Sequence, residues 1–242
     1  MFKHFPCYNK PILITGLEMK HGIIFRLGIS IIAVTVLGAS LVAAPTAARA
    51  DSPVTSTPFA TAYTELGAVA QSLETGMLSL ETAQFLSDWD VPVDAKAAMC
   101  NALGWDINGK DNAVRYGWFL ALKYWDYYDG PPELNDTTKD LLTADELMCM
   151  GYLMALDDYF HPARALPWLQ AAREKRPESY TIAMIEAIVK GQAAMDNDWP
   201  SIWNGVEIVL NNESLKVDMR PEAIAIICDY MVLYQDDAGP KG

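Results

Sequence analysis

Histidine is almost missing from this chain, with three in 242 residues at His4, His21 and His161. Only His161 lies beyond the first fifty positions, beside Pro162. That excludes a multi-histidine zinc or iron site downstream of residue 50. Any Ser-His or Cys-His nucleophilic pair would have to use this one ring. No Gly-x-Ser-x-Gly elbow, Cys-x-x-Cys-His haem attachment, glycine-rich phosphate loop or dinucleotide fingerprint occurs. His161 reads as a surface or helix-capping residue, and no cofactor or metal is expected.

Long apolar runs are nearly as scarce. The uncharged stretch Leu27–Ala44 follows Lys20, His21 and Arg26 and leads through Pro45 to Ala48-Arg49-Ala50. A positive flank, an apolar core, a helix-breaking proline and a small-x-small site are the parts of a signal peptide. The run could nearly span a bilayer as an anchor, but the Ala-x-Ala ending favours cleavage after Ala50. Met19-Lys20-His21 would open a leader of ordinary length, so Met19 is the expected true start. No later run is long enough to cross a membrane, and the mature chain is expected to be periplasmic or secreted.

Basic charge is thin as well. Removing residues 1–50 takes five basic residues (Lys3, Lys10, Lys20, Arg26, Arg49) and one acidic residue (Glu18) from the 18 and 31 of the whole chain. That leaves 13 against 30, a net charge of −17 in place of −13. A field of that sign repels nucleic acid and anionic lipid and favours a basic partner. The remaining cysteines, Cys100, Cys149 and Cys228, allow at most one internal bridge, and spacing does not choose its partners.

What the chain has in quantity is helical periodicity, running from Phe59 to Tyr234 with no sustained alternation of strand type. Residues 51–58 read as a flexible lead-in, and 59–237 as a single all-helical domain. The breaks place helices at about 59–74, 79–88, 94–103 with Asp94 as its cap, 112–128, 143–159, 162–175, 179–195, 199–211 and 221–234. Thr143-Ala-Asp-Glu146 is a capping box, in which hydroxyl and carboxylate satisfy free amides of the first turn. Pro162, Pro200 and Pro221 sit where a first turn tolerates proline.

From residue 143 onward the helix lengths and short breaks suit stacked antiparallel pairs. Ala165, Leu169, Ala172 and Pro177 stand at the small-large-small-Pro positions of a second repeat helix. The segment 161–177 thereby resembles a tetratricopeptide repeat, although Gly151 and Leu156 fit its first helix less well. The resemblance implies an all-α helical array of stacked pairs; an irregular helical bundle is the other architecture compatible with the pattern.

Three patterns that could carry chemistry have blander explanations. Asp106-Ile-Asn-Gly-Lys110-Asp111 has Lys110 where a calcium loop needs an oxygen ligand, and reads as a polar turn. Glu178-Ser179 lacks the flanking segments of a lytic transglycosylase and reads as first-turn charge. Asp157-Asp158 and Asp236-Asp237 are adjacent, and adjacency does not set the separation a glycosidase requires.

The most unusual segment runs from Tyr116 to Asp129. Tyr116, Leu120, Tyr124 and Tyr127 share one helical face; Trp118, Leu122 and Trp125 share another. Such a helix is either the central helix of the domain or a partly exposed aromatic face that docks a partner. The docking candidates are Tyr116, Trp118, Tyr124, Trp125 and Tyr128, with Trp199 and Trp203 as a second, smaller site. These features point to a non-catalytic accessory or scaffold subunit with a periplasmic protein partner. Its profile of size, export and missing cofactor motifs resembles small accessory subunits of periplasmic quinoprotein dehydrogenases. That resemblance implies a role in assembly or stability of a membrane-associated catalytic subunit. The alternatives are a ligand- or glycan-binding module and a carboxylate-dependent hydrolase.

Overall fold

Local chemistry sets where the helices begin and end. The structure is a computed structural model that describes residues 52–105, 109–125 and 139–236. A 3₁₀ turn at Phe59–Tyr63 precedes helix α1 (Gly67–Thr75), which stops where Gly76 adopts φ +61°. Helix α2 (Leu80–Ser87) opens on a capping box of Ser79 and Thr82, and α3 (Val93–Leu103) follows Pro92. Helix α4 (Asn112–Lys123) is followed by α5 (Ala144–Asp157), which opens on the Thr143–Glu146 capping box with both halves formed. A 3₁₀ turn at Pro162–Ala165 runs into α6 (Leu166–Lys175). Helix α7 (Tyr180–Ala194) starts with the Ser179 hydroxyl accepting from the Ile182 amide. Helices α8 (Trp199–Leu210) and α9 (Pro221–Met231) both carry proline in the first turn. The described part is helical throughout, with one isolated bridge between Ser179 and Lys216.

The segment expected as one helix at 59–74 is broken. Leu66 is extended (φ −84°, ψ 119°), which separates the 3₁₀ turn from α1. Asp94 does not cap α3: it lies inside the first turn, where its carboxylate accepts the Tyr63 hydroxyl at 2.7 Å and the Arg220 amide at 3.2 Å. Residues 52–57 are not a loose lead-in. Val54 and Thr57 are buried, the Ser52 hydroxyl donates to Gln192, and Thr57 donates to the Pro53 carbonyl at 2.6 Å. Gln192 is a helix residue of α7, so this segment is held by tertiary packing that no local pattern announces. The leader at 1–50 and the Gly130-Pro131-Pro132 stop lie outside the described residues.

The centre of the molecule is α7, in which all but Lys190, Ala193 and Ala194 are buried. Helices α5 and α6 form one tightly packed pair, and α7 and α8 another. Their short connections impose antiparallel neighbours. In the first pair Gly151 permits the approach: a Cβ there would meet Leu169 Cγ at 2.8 Å and the Ala165 carbonyl at 3.2 Å. Helix α3 lies along α5 in the same direction. Lys96 pairs with Asp145 at 2.9 Å near the helix starts, and Asn101 donates to the Tyr152 hydroxyl at 2.9 Å further on.

Helix α9 packs on the N-terminal 3₁₀ turn, bringing the two ends of the described chain together. The Arg220 guanidinium stacks 3.7 Å from the Tyr63 ring and donates to the Ala62 carbonyl at 2.6 Å. One continuous apolar core extends from Val54 to Tyr234. No helix among the described residues is long and apolar enough to cross a membrane.

Candidate protein-docking face

Helix α4 buries one side and exposes the other. Asp157, at the end of α5, accepts the Ala113 amide at 2.6 Å and so supplies a cap that α4 lacks in its own sequence. At the other end, Lys123 and Tyr124 both reach Glu146, at 2.7 and 2.8 Å. Glu146 also accepts from the Thr143 amide at 2.9 Å and is almost fully buried. Burial alone would raise its pKa. The Lys123 ammonium, the Thr143 amide and the Tyr124 hydroxyl outweigh that and hold it below the ordinary carboxylate value.

Between these two anchors, Tyr116 and Leu120 point into the core with no exposure, while Trp118 and Leu122 are 65% and 67% exposed. Trp125 continues the outer face at 45%. Leu80, in the first turn of α2, is 69% exposed and faces the same side. Between α2 and α4 lies a groove of about 320 Å³, walled by Leu78, Leu80, Ala83, Trp118, Phe119 and Leu122, with Ser79 and Arg115 as its polar lining. The groove's walls are mainly apolar.

Four of the aromatic candidates are wholly or partly buried in the fold. Tyr116 stacks on Phe119 (6.2 Å between centroids) and shares a hydrogen bond with Ser87 at 3.0 Å. Its complete burial pushes the phenol well above its ordinary pKa. It has no surface to present to a partner. The same holds for Trp203, which is 1% exposed on the inner side of α8. Tyr124 is half-buried with its hydroxyl committed to Glu146. Trp199 is partly buried against Tyr234, 5.9 Å between centroids. Trp118 and Trp125 keep open rings, and Tyr128 lies outside the described residues. The tyrosine face and the tryptophan face are thus separate: one is core, the other is surface.

A second aromatic group goes unnoticed in the helical pattern because it stands in the breaks. Trp105 meets Tyr159 edge-on at 5.4 Å, and Tyr159 lies 4.1 Å from Phe160, which is 71% exposed. Trp89, just past α2, is also open. Aromatic residues in loops have no helical face to bury them, and that position was the available signal.

The remaining chemical candidates make local contacts. His161 is exposed and lies 2.9 Å from Asp158, which also meets Arg164 at 3.4 Å. Lys110 donates to the Leu103 carbonyl at 3.3 Å, although residues 106–108 of that turn lie outside the description. Glu178 is exposed and uses its backbone carbonyl to receive the Lys216 amide at 2.7 Å. Among the described residues no group of histidine, cysteine, aspartate and glutamate is arranged to hold a metal ion.

Comparison with protein-family models, curated proteins and solved structures returns no match.

Proposed function

We propose that this chain is an exported, non-catalytic accessory or scaffold subunit whose α2–α4 groove docks a protein partner outside the cytoplasm. The observation that carries the reading is the outer face of α4. Trp118 and Leu122 take no part in closing the core, yet they sit on a helix anchored at both ends by α5. A rigid aromatic side chain beside an apolar groove is the geometry of an interface anchor. The acidic excess favours a partner with basic residues around an apolar insert. Within this reading the α5–α6 pair is a tetratricopeptide-like unit, and the partner is the catalytic subunit of a membrane-associated dehydrogenase. Any membrane association is then peripheral and runs through that partner.

The test is tagged purification from the periplasm under mild conditions. A stoichiometric partner that is lost on combined Trp118→Ala and Leu122→Ala replacement supports the reading. A folded monomer with no partner overturns it.

The second reading, a glycan- or ligand-binding module, draws on the Trp105–Tyr159–Phe160 group, since sugar rings stack on exposed aromatic faces. Titration of tryptophan fluorescence with soluble oligosaccharides distinguishes it: saturable change abolished by Phe160→Ala favours this module over docking.

A further inference from the structure

Cys100 and Cys149 are both fully buried free thiols on the facing sides of α3 and α5. The two helices run side by side in a fixed register. One turn before the cysteines, Lys96 and Asp145 are paired at 2.9 Å. Just after them, Asn101 holds the Tyr152 hydroxyl at 2.9 Å. Cys100 is one helical turn beyond Lys96, and Cys149 is one turn beyond Asp145, so the same offset brings the two sulfurs together. They are close enough that the Cys100 thiol, after burial, helps push the Cys149 thiol above its ordinary pKa.

We propose that Cys100 and Cys149 form an intramolecular disulfide when the chain folds under oxidising conditions. The oxidant is a disulfide donor, either a protein dithiol oxidase or oxidised glutathione. Deprotonated Cys149 attacks one sulfur of the donor, giving a mixed disulfide and releasing one donor thiol. Deprotonated Cys100 then attacks the Cys149 sulfur and releases the second donor thiol. Two protons leave the cysteines, and two electrons reduce the donor. The native packing admits no reagent to either sulfur, so the exchange belongs to the folding chain, before α3 closes on α5. Once closed, the same packing shields the bond from reductants. The bond would join the helix that meets the N-terminal 3₁₀ turn to the helix that anchors α4. Oxidation in the cell rests on the export reading; the chemistry of the pair does not.

The deciding experiment separates the two. The purified chain is denatured, reduced, and refolded in mixed reduced and oxidised glutathione. It is then blocked with iodoacetamide in denaturant and digested with trypsin without reductant. The expected product is Ala97–Lys110 joined to Asp140–Arg164, two hydrogens lighter than the separate peptides, as the predominant form of both. Recovery of both peptides fully alkylated, from protein with native helical circular dichroism, overturns the proposal. The same digest on protein taken directly from cells then tests export. A linked peptide after refolding but alkylated peptides from the cell, with the leader still attached, removes the export reading and leaves the disulfide standing.

Discussion

Tyr124 donates its phenolic hydrogen to Glu146 at 2.8 Å, and this contact fastens the end of α4 to the first turn of α5. The same carboxylate closes the Thr143 capping box and receives Lys123. One buried side chain therefore holds the tryptophan face of α4 in position.

Replacing Glu146 with Gln keeps its size and removes the charge, and should cost roughly 2 kcal/mol in urea unfolding near neutral pH. The pH dependence has a definite sign. The folded carboxyl titrates below its ordinary value of 4.5, so the unfolded chain binds the proton more tightly. Its contribution is complete above pH 4.5 and is lost as pH falls through the folded value. The gap between wild type and Glu146→Gln should narrow on acidification below 4.5; a gap that widens there contradicts the assignment.

Gly151→Ala should destabilise the protein although alanine is the better helix former. The new methyl would lie 2.8 Å from Leu169 Cγ and 3.2 Å from the Ala165 carbonyl, and Leu169 is itself fully buried. Overpacking costs about 1–3 kcal/mol against about 1 kcal/mol gained from helix propensity, for a net loss of up to about 2 kcal/mol. Adding Leu169→Ala should show positive coupling in a double-mutant cycle. Strict additivity would mean that the two side chains do not meet.

The two faces of α4 should respond oppositely to truncation. Trp118→Ala should change thermal stability by no more than about 0.5 kcal/mol, while weakening capture of the partner. Tyr116→Ala should cost about 3–5 kcal/mol through loss of core volume, and Tyr116→Phe about 1 kcal/mol for the Ser87 hydrogen bond. If Trp118→Ala destabilised as much as Tyr116→Ala, the tryptophan would be part of the core and the docking face would be misplaced.

Arg220→Ala should loosen the junction between the chain's two ends. The guanidinium stacks on Tyr63 and holds the Ala62 carbonyl, interactions that together contribute about 2 kcal/mol. Hydrogen exchange should rise in the 3₁₀ turn at Phe59–Tyr63 and the first turn of α9, with α7 unaffected. Lysine at this position would restore charge without the planar stack, so Arg220→Lys should recover only part of the loss.

Helix content and most helix boundaries were legible in the residues, because periodicity, capping boxes and first-turn prolines are local. Thr143 with Glu146, Ser179 before α7 and Pro221 in α9 needed nothing beyond a few neighbouring positions. Local pattern could not separate the inner from the outer face of α4, because tyrosine and tryptophan are equally apolar by composition. Burial of Tyr116 depends on what α2 and α5 bring against it, and exposure of Trp118 depends on what they do not. The same limit hid the burial of residues 52–57, whose polar partner Gln192 lies far along the chain, and the cap that Asp157 provides to α4. The meeting of Cys100 and Cys149 likewise follows from the register of α3 on α5, set by Lys96 with Asp145. The residues by themselves determined that this chain would be helical and acidic. Only the packing of one helix on another decided which aromatic rings remain in water.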